Sequence, residues 1–294
     1  MRLGVLILPE TSWPDNARRW RTVEDLGYDS AWTYDHLWWR SLSDGAWFSS
    51  VPVLSAAAAV TRRMAIGVMV ASPNLRHPVV MAKDAISIND IAGGRFVLGV
   101  GAGSSGAGDA LVVDRVPLSA KERADRFAEF VALTDQLLHA PVSSHSGRFY
   151  AVDSAHMLPR YPPPLAVAAS GQRGMALVAR YANAWITMGP TDFSRDYRPD
   201  ECLAIVTAQT EALRRACDRA GRAMTDLDRI FVTTGWAGDP LRSASDCLAL
   251  AERYAKAGIT HLVVHWPRES GVYAGDPAVL HDIAATALPA VHEL

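Results

Sequence analysis

The sequence predicts an α/β protein folded as a single (β/α)8 TIM barrel over residues 1–294, with insertion loops at the carboxyl-end face. Three observations carry this prediction. Short apolar runs rich in Val, Ile and Leu alternate with helical stretches from end to end. Nearly every such run leads into a loop of charged, aromatic or glycine residues. The length of 294 residues suits a fold that typically takes about 250.

The unit repeats in order along the chain. Residues 3–8 read as the first strand, Asp15 caps a helix that Gly27 ends, and 30–34 form the second strand. Residues 51–61 make a helix with Pro52 in its first turn. Residues 65–71 form a buried strand bounded by Ser72-Pro73-Asn74. Pro78 then opens a helix with apolar residues at helical spacing, and Gly93-Gly94 supplies a left-handed stop before the strand 96–100. Ser119 and Glu122 have the spacing of a capping box for a long helix to His139. A hairpin and a proline-rich approach precede the fifth barrel strand, 165–169. The remainder reads as helix 173–181, strand 184–188, a loop of mobile character over 189–200, helix 201–220, strand 230–234, helix 243–257, strand 260–265 and helix 277–287. Strict alternation implies parallel strands joined by right-handed crossovers, and eight units favour closure.

Composition narrows the function classes. A net charge of -2 argues against nucleic-acid binding, and no apolar run reaches the ~20 residues of a membrane span. Cys202, Cys217 and Cys247 fit neither a disulfide framework nor a zinc site. Pro9 and Glu10 cut the opening apolar run too early for a signal peptide, so a cytoplasmic protein is expected.

In such barrels the active site lies where strands end. There the sequence puts Trp13, the Asp35-His36 pair, Trp38, Trp39, Ser72, Asn74, a glycine stretch from Gly101, and Ser170-Gly171-Gln172-Arg173. Gly101–Gly106 fits a dinucleotide fingerprint, but no amphipathic helix opens after it and no acidic residue ends a following strand, so that reading is set aside. Ser170-Gly171 joins a strand directly to a helix, whose free amides and dipole, with Arg173, make an anion site. His36 is of the residue type best suited to exchanging a proton; the alternative is a histidine packed under the tryptophans. His77 reads as a loop residue. His261 and His265 can share a strand face without a carboxylate or cysteine cluster, so no metal is expected. No G-x-S-x-G elbow occurs.

These residues resemble the bacterial luciferase-like monooxygenase superfamily. The likeness rests on Gly67-Val68, Pro73, Arg76-His77-Pro78, Gly93-Gly94-Arg95-Phe96, Leu98-Gly99-Val100-Gly101-Ala102-Gly103, Arg123, Arg126-Phe127, Gly147-Arg148-Phe149-Tyr150 and Ala169-Ser170-Gly171. It runs motif by motif to about Gly189 and includes Asp35-His36, which is similar to the branch using coenzyme F420. The resemblance implies a barrel, often a homodimer, that binds F420 or, alternatively, FMN at its mouth. It implies His36 as the acid or base, with Asp35 orienting it or touching the cofactor, and a non-prolyl cis peptide at Met69-Val70 behind the ring. It also implies Ser72, Asn74 and Gly101 around that ring, and Ala169, Ser170, Gly171 and Arg173 toward the phosphate.

The chain departs from the F420-dependent sugar-phosphate dehydrogenases at Ser104, where those enzymes carry a glutamate, so a sugar phosphate fits poorly. Trp13, Trp38, Trp39 and Ser104 are the expected substrate contacts, for a small apolar or unsaturated molecule whose C=C or C=N bond receives a hydride. The alternatives are an FMN-dependent monooxygenase and a non-catalytic flavin-binding barrel.

Overall fold

A computed structural model describes residues 1–103, 109, 112 and 118–294, with only the backbone of Arg40. Its strands are β1 (Arg2–Leu6), β2 (Ser30–Thr33), β3 (Ala65–Ala71), β4 (Phe96–Val100), β5 (Val142–Ser146), β6 (Ala151–His156), β7 (Leu165–Ala168), β8 (Ala184–Thr187), β9 (Asp228–Val232) and β10 (His261–His265). Eight of them close a parallel barrel in the order β1-β10-β9-β8-β7-β4-β3-β2. The remaining two, β5 and β6, form the antiparallel hairpin expected before the fifth barrel strand. Closure places β1 beside β10, Arg2 opposite His261 and Leu6 opposite His265.

The helices are α1 (Trp13–Asp25), α2 (Ser50–Val60), α3 (Pro78–Ile91), α4 (Ala120–His139), α5 (Gln172–Tyr181), α6 (Pro199–Ala220), α7 (Ala244–Lys256) and α8 (Ala278–Asp282). The last continues through a π-turn at Ile283–Ala287 into α9 (Leu288–His292). Their inner faces and the outward strand residues make one large apolar cluster, including Trp20, Ile66, Phe96, Phe130 and Leu262. A second cluster fills the barrel itself with Leu6, Leu8, Trp32, Tyr34, Met69, Ile186, Ile230 and Val263. Period-2 alternation along each strand sorts residues between the two. Among the described residues no helix is long and apolar enough to cross a membrane.

Local chemistry explains the motifs. Ser119 and Glu122 form the expected capping box of α4. Gly93 and Gly94 take φ of 62° and 87° after α3. The α1 start differs from the expectation: Ser12 occupies the N-cap position, and Asp15 sits in the first turn accepting from Ser12 Oγ at 2.8 Å, because Pro14 already suits the first helical turn. Arg95 donates to the carbonyls of Thr61 and Met64 at 2.9 and 2.8 Å, tying the end of α2 to β4. In the Gly147–Tyr150 motif, the amides of Arg148, Phe149 and Tyr150 all donate to Glu129 of α4, which pins the hairpin outside the barrel. The 189–200 segment has no helix or strand before α6, as expected, but it is anchored. Gly189 lies against Gln209 through a 2.9 Å hydrogen bond, and Phe193 and Tyr197 pack on Trp236.

Candidate active site

The chain leaves β2 as Thr33-Tyr34-Asp35-His36 and delivers three side chains to three environments. Tyr34 stays in the barrel: its hydroxyl meets His265 Nε2 at 2.8 Å, and its ring stacks on Trp39 with centroids 5.8 Å apart. Asp35 turns outward into a buried position, 2% exposed. It accepts from Ser50 Oγ at 2.6 Å and from Arg76 Nε and Nη2 at 2.9 and 2.5 Å. The side-chain hydrogen bond to Asp35 raises the Arg76 pKa and outweighs the opposing desolvation, so the pair is ionic. His36, with about a third of its side chain exposed, sets Nδ1 2.5 Å from Asp109 Oδ2, and Asp109 Oδ1 accepts from the Leu37 amide at 2.9 Å. The expectation that Asp35 orients His36 is thus corrected: both Asp35 oxygens are occupied by Arg76 and Ser50, and the ring's partner is Asp109.

Next to β2 in the barrel, β3 is followed in order by β4 and β7. The Met69–Val70 peptide is cis, and the β3–β4 register shifts between Val68 and Ala71. Met69 points into the interior cluster, with Val70 packed beside it. A Cβ at Gly101 would lie 2.4 Å from Val70 Cγ2 and 3.6 Å from the Ala168 Cβ. Position 101 therefore admits no side chain unless Val70 moves. Gly103, at φ 75°, comes so close to Asn74 that a Cβ there would be 2.5 Å from its Nδ2. Asn74 is buried, and its Oδ1 accepts from Arg126 Nη2 at 2.5 Å, which orients the amide. Ser72 is buried beside it, its carbonyl accepting from the Leu75 and Arg76 amides.

Beyond β7, Ala169 accepts the Trp185 indole N–H at 2.8 Å, and its Cβ is close to Gly174. Ser170 and Gly171 are exposed at the start of α5, whose N-cap, Gly171, has no side-chain cap and open space around it. The first amides of that helix are thus available to an anion. Arg173 is exposed and pairs with Asp125 Oδ1 at 2.5 Å, so its charge is shared with α4.

The aromatic residues divide. Trp39 is buried in the barrel mouth between Tyr34 and Tyr273, and Tyr273 stacks on His265 at 3.5 Å. Trp38 is half-buried. Trp13 does not join this group; it opens α1 and packs on the outer helix–sheet core. Ser104 lies outside the described residues. His77 caps α3, its Nδ1 accepting from the Val79 amide at 3.3 Å. His261 and His265 are interior, and burial pushes both pKa values down to about 3. Among the described residues no cluster of metal-ligating side chains occurs.

The sequence model of luciferase-like monooxygenases matches residues 1–240. The chain belongs to that family. It is 32% identical over 221 residues to an F420-dependent glucose-6-phosphate dehydrogenase of Nakamurella multipartita, covering 71% of this chain and 59% of that protein. A protein of the same name from Beutenbergia cavernae is 29% identical over 338 aligned positions, covering 98% of this chain and 97% of its own. Some curated relatives are thus matched over less than two thirds of their length. Among solved structures, an F420-dependent secondary alcohol dehydrogenase in complex with an F420-acetone adduct superposes with a TM-score of 0.81 at 18% identity, covering 99% and 98% of the two chains.

In this luciferase-like barrel, sequence reasoning missed Asp109 and Tyr34, and it singled out Arg126 and His265 without giving either a role in the site. Asp109 carried no local signal, being 73 positions from His36 in a stretch without periodicity. Tyr34 and His265 had one available signal: each ends or follows an apolar strand at an inward position, where a polar group requires a partner.

Proposed function

We propose that this protein is an oxidoreductase that moves a hydride between coenzyme F420 and a small apolar or unsaturated substrate, with reduction of C=C or C=N bonds favoured. The observation that carries the reading is the close packing of Gly101 against Val70 and Ala168 behind the cis Met69–Val70 peptide, on the strands next to the one that leads to His36. A planar ring system suits such a surface, since a side chain at position 101 would displace Val70 from it. The donor set fits as well, with the Asn74 amide at one edge and the uncapped α5 amides at the phosphate end. The names of the relatives support the choice of coenzyme.

When bound, F420 supplies a hydride-carrying ring carbon that reacts poorly with oxygen. The chain's own residues then divide the remaining work. Met69, Val70 and Gly101 shape the floor, Ser72 and Asn74 offer polar contacts, and Ala169, Ser170, Gly171 and Arg173 hold the anionic tail. His36 gives or takes the proton that balances the hydride. Asp35 stays with Arg76 and Ser50 and fixes the loop that carries His36. Trp38 and Trp39 bound the substrate space, with Trp13 supporting the first loop from behind.

A charged substrate is disfavoured because charges near the mouth are already paired. Glu10 is held by Arg268 at 2.8 Å and Arg19 at 3.5 Å, and Asp35 by Arg76. The same reading makes the enzyme a cytoplasmic homodimer, in keeping with three buried free cysteines, and sedimentation checks its stoichiometry.

Titration of the purified protein with F420 and with FMN is the primary test: tighter F420 binding is expected, and tighter FMN binding refutes the coenzyme assignment. His36→Ala is expected to keep F420 binding and lose turnover. Unchanged turnover refutes the proton role.

A further inference from the structure

Asp109 is 5% exposed, yet its carboxylate is fully engaged at the edge of the mouth. Oδ2 lies 2.5 Å from His36 Nδ1, and Oδ1 accepts the amide of Leu37, one residue further on, at 2.9 Å. A carboxylate bound at two points to adjacent residues cannot rotate without breaking both bonds. It is an acceptor only, so the hydrogen of a neutral His36 must reside on Nδ1. Nε2 then has no hydrogen-bond partner among the described residues, on a side chain about a third exposed. The other neighbours do not fix the ring. Tyr34 meets it edge-on with centroids 6.0 Å apart, and its hydroxyl is committed to His265. Asp35 is committed to Arg76 and Ser50.

We infer that Asp109 is the positioning residue of His36, holding the ring in the Nδ1–H tautomer so that Nε2 is the atom that exchanges a proton with substrate. The inference rests on the proton role proposed for His36 and adds to it a specific nitrogen and a specific partner. The balance is simple. In the oxidative direction Nε2 takes the substrate hydroxyl or amine proton as the hydride leaves carbon, giving an imidazolium paired with the Asp109 carboxylate. In the reductive direction the same N–H bond breaks, and the proton goes to the atom adjacent to the hydride acceptor.

The test uses the full-length protein without coenzyme, labelled with ¹⁵N-histidine, so that its readout is independent of activity. Long-range ¹H–¹⁵N spectra, with the His36 signals assigned by loss in His36→Ala, are expected to show a protonated Nδ1 and a bare Nε2 in the neutral ring. Asp109→Ala is expected to shift this ring toward Nε2–H. It should lower kcat about 10- to 100-fold, the loss typical when a partner orienting a functional histidine is removed. F420 affinity and KM should stay within about twofold, and Asp109→Glu should restore part of the rate. Asp109→Asn serves if the alanine variant does not fold. A wild-type Nε2–H tautomer, or variants with unchanged tautomer and kcat, overturns the assignment. A tautomer that depends on Asp109 in an enzyme whose turnover survives His36→Ala refutes instead the proton role on which the inference rests.

Discussion

Gly101→Ala probes the proposed cofactor floor most directly. The added Cβ would lie 2.4 Å from Val70 Cγ2, whereas carbon atoms rest about 3.5–4.0 Å apart. The overlap therefore exceeds about 1 Å. Val70 is β-branched and restricted at χ1, so it escapes only by tipping into the slot or by forcing β3 from β4. Such overpacking costs about 1–3 kcal/mol. Val70→Ala removes the atom that is struck, leaving the Ala168 Cβ at an ordinary 3.6 Å. The four proteins of the cycle, unfolded in urea, should thus show a coupling of about 1–2 kcal/mol, with Gly101→Ala nearly neutral in the Val70→Ala background. F420 titration of Gly101→Ala should show at least about tenfold weaker binding, or about 1.4 kcal/mol. The geometric argument is refuted if Gly101→Ala is as stable as wild type, or costs the same in both backgrounds.

Other outcomes follow from the buried charges. Arg76→Ala leaves the Asp35 carboxylate buried without its ion partner and should destabilise by about 3–5 kcal/mol, while Asp35→Asn combined with Arg76→Met should recover most of that loss in a urea titration. His261 and His265 have folded pKa values near 3 against an ordinary 6.5, so the unfolded chain binds more protons between these limits. The stability from these neutral rings is fully present above pH 6.5 and falls as pH drops toward 3, by up to about 1.4 kcal/mol per unit per ring. Glu24 and Glu129, which are held low, start from an ordinary value of 4.5, so the window from pH 6.5 to 5 isolates the imidazoles. Urea midpoints should decline through that window, and His265→Gln should reduce the slope; a flat profile contradicts the burial of neutral rings.

Sequence alone determined the barrel, because the signals for strand and helix are local. Apolar runs of strand length, the Gly93-Gly94 stop and the Ser119–Glu122 box each act within a few residues and were readable in isolation. The position of His36 was legible for the same reason, since a residue just beyond a barrel strand must stand at the mouth. The family resemblance added the Met69–Val70 cis peptide, which local signals could not reach.

Tertiary structure decided the partners. The family resemblance implied that Asp35 orients His36 or touches the cofactor, but successive side chains leaving a strand point to opposite sides, and Asp35 went to Arg76, 41 positions on. Asp109 meets His36 from 73 positions away, Arg126 meets Asn74 from 52, and His265 meets Tyr34 from 231. Such pairs form only because the folded barrel brings distant strand ends, loops and helices to one rim, and a hydrogen bond between two side chains leaves no periodicity in the sequence of either.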